Sequence, residues 1–315
     1  MFFSLYIANF SGIMQVTSFK CGGYACGMSI NHIAMDAFSF QIFLVNLAAL
    51  ISNKPLVIEP YTNRQILAAR SPPRVTFSHP ELVKLEELEE FSSPSTMFDD
   101  MSYGLEFKIF SLNPNQIAML KEEAKTKRDG SSPTIASSFN VVIAHLWRCR
   151  ALASNARSEK KTSTITYPVD IRKRLRPPLP PSYTGNAILA AYASATCQEL
   201  NAGPFSRTVE LVRQGAERMT DEYIRSAIDW GEFYKGFPKA DVMFTTWWKF
   251  GFDDLEFEWG KPKCFCPLPN PGRELIMMFP GADKGVNAIV GLPSDVLEKF
   301  RHLFYSDLVP LCPRL

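Results

Sequence analysis

The stretch KCGGYACGMSINHIAMDAFSFQIFLVNLAALI, residues 20–51, decides how the rest of the chain is read. With IMQVTSF (13–19) before it, it predicts a β-hairpin: Val16 and Phe19 in the first strand, Gly22-Gly23 in the turn, Ala25 to Ile30 in the second strand. From about Asp36 to Ile51 the period changes to that of a helix, with Phe38, Ile42, Phe43, Leu47 and Leu50 on one face. His32 therefore falls at a strand-to-helix corner, where a rigid scaffold can present a side chain to a cleft. His32-x-x-x-Asp36 alone fits two readings: a base with a supporting carboxylate, or a solvated histidine ahead of an N-cap aspartate.

Further along, 62–70 reads as a short helix. Residues 71–104 join Pro, Ser and the acidic run LVKLEELEEFSSPSTMFDD without periodicity, as expected of a disordered connection or a functional crossover, and the domain boundary is placed there. GLEFKIFSL is a strand, and NPNQIAMLKEEAKTK a helix with Asn113 as N-cap and Pro114 at N1. SSPTIASSFNVVIAHLWRCRAL is a longer, more apolar helix. TSTITYPVD and AILAAYASAT are strands flanking the basic loop IRKRLRPPLPPSYTGN, and one long helix runs from about Pro204 to Tyr234. ADVMFTTWW, ELIMMFP and VNAIVGLP are strands and SDVLEKFRHLF a terminal helix. The class is α/β, or α+β with mixed sheets.

The 315 residues, 46% hydrophobic and 21% charged, can bury a full core without staples. A net charge of +2 with no basic block leaves no footprint for nucleic acid. Seven irregularly spaced cysteines read as free thiols in a reducing compartment, and the chain as cytoplasmic. Cys264 and Cys266 read as neighbours on one side of a strand, without partners at metal-ligand spacing, so no metal is expected. MFFSLYIANF is too short to span a membrane and lacks the marks of a signal peptide; it reads as a buried strand or a ragged start. His79 falls in the linker, His145 in an apolar helix face and His302 on the terminal helix. No G-x-S-x-G elbow and no phosphate-cradling glycine motif is present.

NHIAMDAFSF resembles the His-x-x-x-Asp motif of the plant BAHD acyl-CoA-dependent acyltransferases, and the whole of FKCGGYACGMSINHIAMDAFSF their strand and helix around the catalytic histidine. FNVVIAHLWRCRAL is similar to the family's central helix, YPVDIRKRLRPPLPPSYTGNAI to its basic crossover strand and proline-rich loop, and TTWWKFGFDDLEFEWGKP to the segment carrying its Asp-Phe-Gly-Trp-Gly motif. These ordered matches span nearly the entire chain from about residue 13 and favour catalysis at His32. The resemblance implies a two-domain CoA-dependent acyltransferase-like fold with its first domain truncated. Residues 1–70 would be the remnant carrying the motif, 71–104 the crossover linker, and 105–315 the second domain.

The implied chemistry is transfer of an acyl group from acyl-CoA, a donor substrate and not a permanently bound cofactor, to a hydroxylated acceptor. His32 would be the general base, and Asp36 would pair with Arg172 to fix the corner. Thr245 and Trp247 would line the site, with the Trp247 indole N–H as oxyanion donor; a packed core aromatic is the other reading of Trp247. Arg174 and Arg176 would contact the CoA phosphates, or belong to a solvated basic loop. Glu256, Trp259 and Gly260 would give structural support: the second motif reads Glu256-Phe257-Glu258-Trp259-Gly260, and a side chain at 258 is expected to cost stability, with Glu256 free to pair with an arginine. SAIDWGEFYKGFP resembles the wording of transferases joining feruloyl or other hydroxycinnamoyl groups to ω-hydroxy fatty acids and fatty alcohols, as in suberin and cuticular wax. The alternatives are another alcohol or amine acyltransferase of the family, or a truncated relative without catalysis. The family implies a monomer.

Overall fold

A computed structural model describes residues 12–87, 104–125, 136–155, 160–269, 274–306 and 308. The amino-terminal MFFSLYIANF, the acidic end of the linker and Cys312 lie outside these residues.

Strands β1 (Gly12–Ser18) and β2 (Tyr24–Ile30) pair antiparallel from Gly12↔Ile30 to Ser18↔Tyr24. Gly22 closes the turn at φ +81°, a conformation that costs glycine little. Helix α1 (Ala37–Ile51) follows, with Asp36 as its N-cap. The hairpin buries almost none of its side chains, and Val16 and Tyr24 are about 60% exposed (58% and 61%).

The body of the chain is a six-stranded mixed sheet in the order β4-β10-β9-β8-β5-β6. Its strands are β4 (Leu105–Leu112), β5 (Thr162–Asp170), β6 (Ile188–Thr196), β8 (Val242–Thr246), β9 (Leu275–Pro280) and β10 (Val286–Pro293). The β9–β8 and β8–β5 pairs are parallel and the others antiparallel. Two-residue alternation gives the sheet two faces. Phe110, Val242, Phe244, Ile276, Met278 and Val290 join the main core under helices α2 (Pro114–Glu123), α3 (Ser138–Asn155), α5 (Phe205–Glu217) and α7 (Ser294–Ser306). Met277, Phe279 and Ile289 point the other way and pack against Trp247.

Helix α3 is the spine of this core; Val141 through Ala144, Leu146 and Trp147 are fully buried. His145 is buried within it, 3.2 Å from the Phe304 carbonyl oxygen. Asn113 is the N-cap of α2 with Pro114 following it, as expected, and with Gln116 it completes a capping box.

Three expectations are corrected. The helix expected at 62–70 is only a single 3-10 turn, Arg64–Leu67, because the Arg70 N–H and guanidinium bind Asp229 and draw the chain into an extended course. The long helix of 204–234 is two, α5 and α6 (Asp221–Phe233), preceded by α4 (Cys197–Ala202). Arg174 donates to the Ala216 carbonyl at the end of α5, and Thr220 caps α6 through the Tyr223 N–H, so both ends are satisfied at the break. Cys264 and Cys266 lie outside any strand.

The crossover is no loose linker over its described half. Strand β3 (Leu82–Lys84) pairs with β7 (Gly236–Pro238), and residues 70–81 are stitched to α6.

Candidate active site

His32 sits where the chain leaves β2. The turn is shaped by Asn31, whose side-chain oxygen accepts from the Ile33 N–H (3.0 Å) and whose carbonyl accepts from the Ala34 N–H (2.9 Å). The His32 imidazole is exposed and makes no hydrogen bond among the described residues. Asp36, one helical turn on, is buried at 2% exposure and does not face it. One Asp36 oxygen accepts from Ser39 N–H and Arg172 Nη2, both at 2.9 Å, and the other from Ala187 N–H at 2.8 Å.

Arg172 is equally enclosed. Its Nη2 also donates to Ser39 Oγ (3.0 Å) and the Gly185 carbonyl (3.2 Å), its Nη1 donates to Asp170, and its guanidinium lies 4.5 Å from the Phe38 ring centroid. Burial pushes the Asp36 carboxyl up, but the Arg172 guanidinium and the Ala187 and Ser39 N–H groups outweigh it and hold it below the usual carboxylate range. A buried ion pair with every oxygen satisfied fixes geometry more than it stabilises. Sequence reasoning missed Ser39, whose hydroxyl donates to the Gly185 carbonyl (2.8 Å) and accepts the Gly185 N–H (2.9 Å); a lone serine in an apolar helix carries no signal of this.

Thr245 lies on β8 opposite Met277, on the sheet face away from the main core. Trp247 continues that face, its backbone N–H on the Met278 carbonyl. Its ring meets Phe40 of α1 (5.9 Å between centroids), Phe252 and Phe265, so it is packed among aromatics at the junction with the helix that follows the His32 turn. Its indole N–H makes no hydrogen bond among the described residues.

Arg174 is turned to the end of α5, where it donates to the Ala216 carbonyl at 2.7 Å. The Arg176 backbone is pinned by Asp221 and Arg225 while the residue itself is exposed. The second motif is a tight turn: Phe257 and Gly260 exchange backbone hydrogen bonds, with Gly260 at φ +107°. Glu258 is exposed and outside the positive-φ positions, so the expected penalty for a side chain there is corrected: the turn needs glycine at 260. Glu256 is exposed and has no ion pair among the described residues. Trp259 stacks on Phe257 at 5.4 Å and reaches Tyr24 of the hairpin at 6.4 Å.

Among the described residues no cluster of three or more His, Cys, Asp or Glu could hold a metal, and no helix is long and apolar enough to cross a membrane. The arrangement offers an unpaired imidazole on a clamped backbone, suited to taking and returning a proton.

A family model described as the Transferase family matches residues 12–307. Acyltransferase GLAUCE of Arabidopsis thaliana is 48% identical over 304 residues, covering 94% of this chain and 66% of that protein. The fatty alcohol:caffeoyl-CoA acyltransferase of the same plant is 32% identical (92% and 66%), and its omega-hydroxypalmitate O-feruloyl transferase 30% identical (92% and 63%). This chain thus spans just under two thirds of the length of these relatives. Among solved structures, vinorine synthase superposes with TM-score 0.68 at 23% identity over 92% of this chain and 64% of that one. TRI101 of F. graminearum, complexed with coenzyme A and deoxynivalenol, superposes with TM-score 0.70 at 18% identity over 93% and 68%. The mixed α/β fold is theirs.

Proposed function

This chain belongs to the Transferase family, the BAHD acyltransferases, and from that premise we propose that it transfers an acyl group from a CoA thioester to a hydroxylated acceptor with His32 as general base. The observation that carries this reading is the His32 corner: an exposed imidazole with both ring nitrogens free, on a backbone held by the buried Asp36–Arg172 pair. A neutral imidazole accepts a proton at its free ring nitrogen and returns it from there. It takes the acceptor's hydroxyl proton as that oxygen bonds to the thioester carbon. The tetrahedral intermediate collapses with cleavage of the C–S bond, and the imidazolium returns the proton to the CoA thiolate, leaving ester and free CoA. Direct attack requires no acyl-enzyme.

Thr245 and Trp247 are the proposed lining of the acceptor side. Their support is a shared sheet face and the contact of Trp247 with α1. For the CoA phosphates Arg176 is the better placed of the two loop arginines, since the Arg174 guanidinium is spent on α5. In this reading residues 71–104 divide a motif-bearing part from a second domain.

For substrate we propose a hydroxycinnamoyl donor and a long-chain ω-hydroxy acid or fatty alcohol acceptor. The relatives at 32% and 30% identity, named for caffeoyl and feruloyl transfer to such acceptors, support it. The test is ester formation from feruloyl-CoA with ω-hydroxypalmitate, a fatty alcohol, shikimate and a polyamine in parallel. Ester with the first two alone is expected. Product only with shikimate or the amine would move the chain to another acceptor class of the family.

A further inference from the structure

The His32 imidazole has no hydrogen bond of its own among the described residues, so its position is inherited from the backbone that carries it. Three consecutive residues just before β6 hold that backbone. Gly185 exchanges hydrogen bonds with Ser39 Oγ, and Ala187 N–H binds Asp36. Between them, Asn186 Nδ2 donates to the His32 carbonyl at 2.5 Å and the Ile33 carbonyl at 3.2 Å. Both acceptors are carbonyls, which only accept, so the amide has a single workable orientation with its NH2 toward the corner. The Gly185 and Ala187 contacts fix the start of α1. Of these three residues only Asn186 reaches the peptide plane that follows the His32 Cα, holding its carbonyl side while Asn31 Oδ1 accepts the Ile33 N–H on the other. On the other side, the Arg64 guanidinium binds the Ala34 carbonyl at 2.7 Å.

We propose that Asn186 is a positioning residue for His32: it locks the 32–33 peptide plane and so sets the direction in which the imidazole leaves the chain. This rests on the acyl-transfer reading of His32. Misplacing a reacting group by about 1 Å can cost on the order of 100-fold in rate. A position set through the backbone acts on the chemical step and leaves donor binding alone.

The experiment compares wild type, Asn186→Ala and the isosteric Asn186→Asp, whose carboxylate oxygens would face two carbonyl oxygens. It measures kcat and KM for feruloyl-CoA, and amide hydrogen exchange over residues 31–36. The expected result for Asn186→Ala is a fall in kcat of about 10- to 100-fold, KM within about twofold, and faster exchange of the Ile33 and Ala34 amides; Asn186→Asp should lose at least as much. Unchanged kcat with unchanged exchange overturns the proposal. So does a variant that unfolds or loses kcat and donor binding together, which marks a merely structural residue. If wild type and His32→Ala release CoA equally, the acyl-transfer reading fails by itself. The exchange arm still decides whether Asn186 holds the corner: unchanged protection of the two amides in both variants overturns it.

Discussion

Two histidines in this molecule each lie close in sequence to an acidic residue, and the structure uses them in opposite ways. His32 and Asp36 look like a dyad on paper, yet Asp36 is buried against Arg172 and His32 is exposed and unpaired. His79 and Glu81, in the crossover, make the contact that the first pair does not. His79 Nδ1 lies 3.2 Å from Glu81, and Nε2 lies 2.9 Å from Ser226 Oγ. Ser226 Oγ also accepts the Thr76 and Phe77 N–H groups, so its own hydrogen goes to Nε2 and the His79 proton sits on Nδ1, facing Glu81. Tyr223 donates to the same carboxylate at 2.8 Å. Serine, histidine and glutamate thus stand in the order of a nucleophile, base and orienting acid, but Ser226 is fully buried with both lone pairs taken. The crossover cluster is a fastener. A fixed backbone carrying a free, solvent-facing ring is what sets His32, the proposed base, apart from His79, and a nearby carboxylate does not.

The widest separation between the two regions should come from alanine at each histidine. His32→Ala is expected to lower acceptor-dependent CoA release by about 100- to 10,000-fold, while denaturant unfolding moves by no more than about 0.5 kcal/mol, as for an exposed side chain. His79→Ala should do the reverse, costing about 1–3 kcal/mol for the Ser226 hydroxyl left without an acceptor, with Glu81 still held by Tyr223, and sparing kcat in the folded fraction. Next comes Arg172→Met, which strands Asp36 as a buried unpaired charge. A loss of about 3–5 kcal/mol in urea unfolding is expected, and a neutral result would mean that the pair does not hold the corner.

Acid should weaken both regions together. Asp36 and Asp229 are each pushed up by burial, then held below the usual range, by Arg172 and two backbone N–H groups in one case and by the Arg74 and Arg70 N–H groups with the Arg70 guanidinium in the other. A carboxyl lowered on folding contributes stability that is complete above the unfolded value of about 3.9 and disappears as pH falls through the folded one. Urea midpoints should therefore be level near neutrality and drop below about pH 4, with faster exchange in both 31–36 and 70–81. Loss confined to one region would separate the two clamps. The smallest effect is at the second motif: Glu258→Gly should stay within about 0.5 kcal/mol, and Gly260→Ala, forced to positive φ, should cost about 1–3 kcal/mol on the same unfolding curve.

Local features were legible in the sequence. The hairpin follows from Gly22-Gly23 between strand-forming runs, α1 from its apolar run, and the start of α2 from Asn113-Pro114; the face expected for α1 is corrected, since Phe43 and Leu50 are exposed and Leu44, Ala48 and Ala49 are buried beside Ile42. The break between α5 and α6 was not, because Thr220 reads as one polar residue in an amphipathic run until Arg174 is seen on the carbonyls before it. Residues 70–81 carry no periodicity, and their partners on α6 lie about 150 residues away, so nothing local announces the Arg70–Asp229 or His79–Ser226 contacts. The same distance hides Asn186 from His32. Sequence spacing suggested which residues matter at the corner, while their orientation, with Asp36 turned inward and His32 outward, belongs to the tertiary structure.

The central claim is that His32 is the reactive base and His79 a fastener. Its most direct test is acceptor-dependent CoA release from feruloyl-CoA by wild type, His32→Ala and His79→Ala, each first shown to be folded. The expected result is release by wild type and His79→Ala and none by His32→Ala. Release that survives His32→Ala, or that disappears in folded His79→Ala, would contradict it.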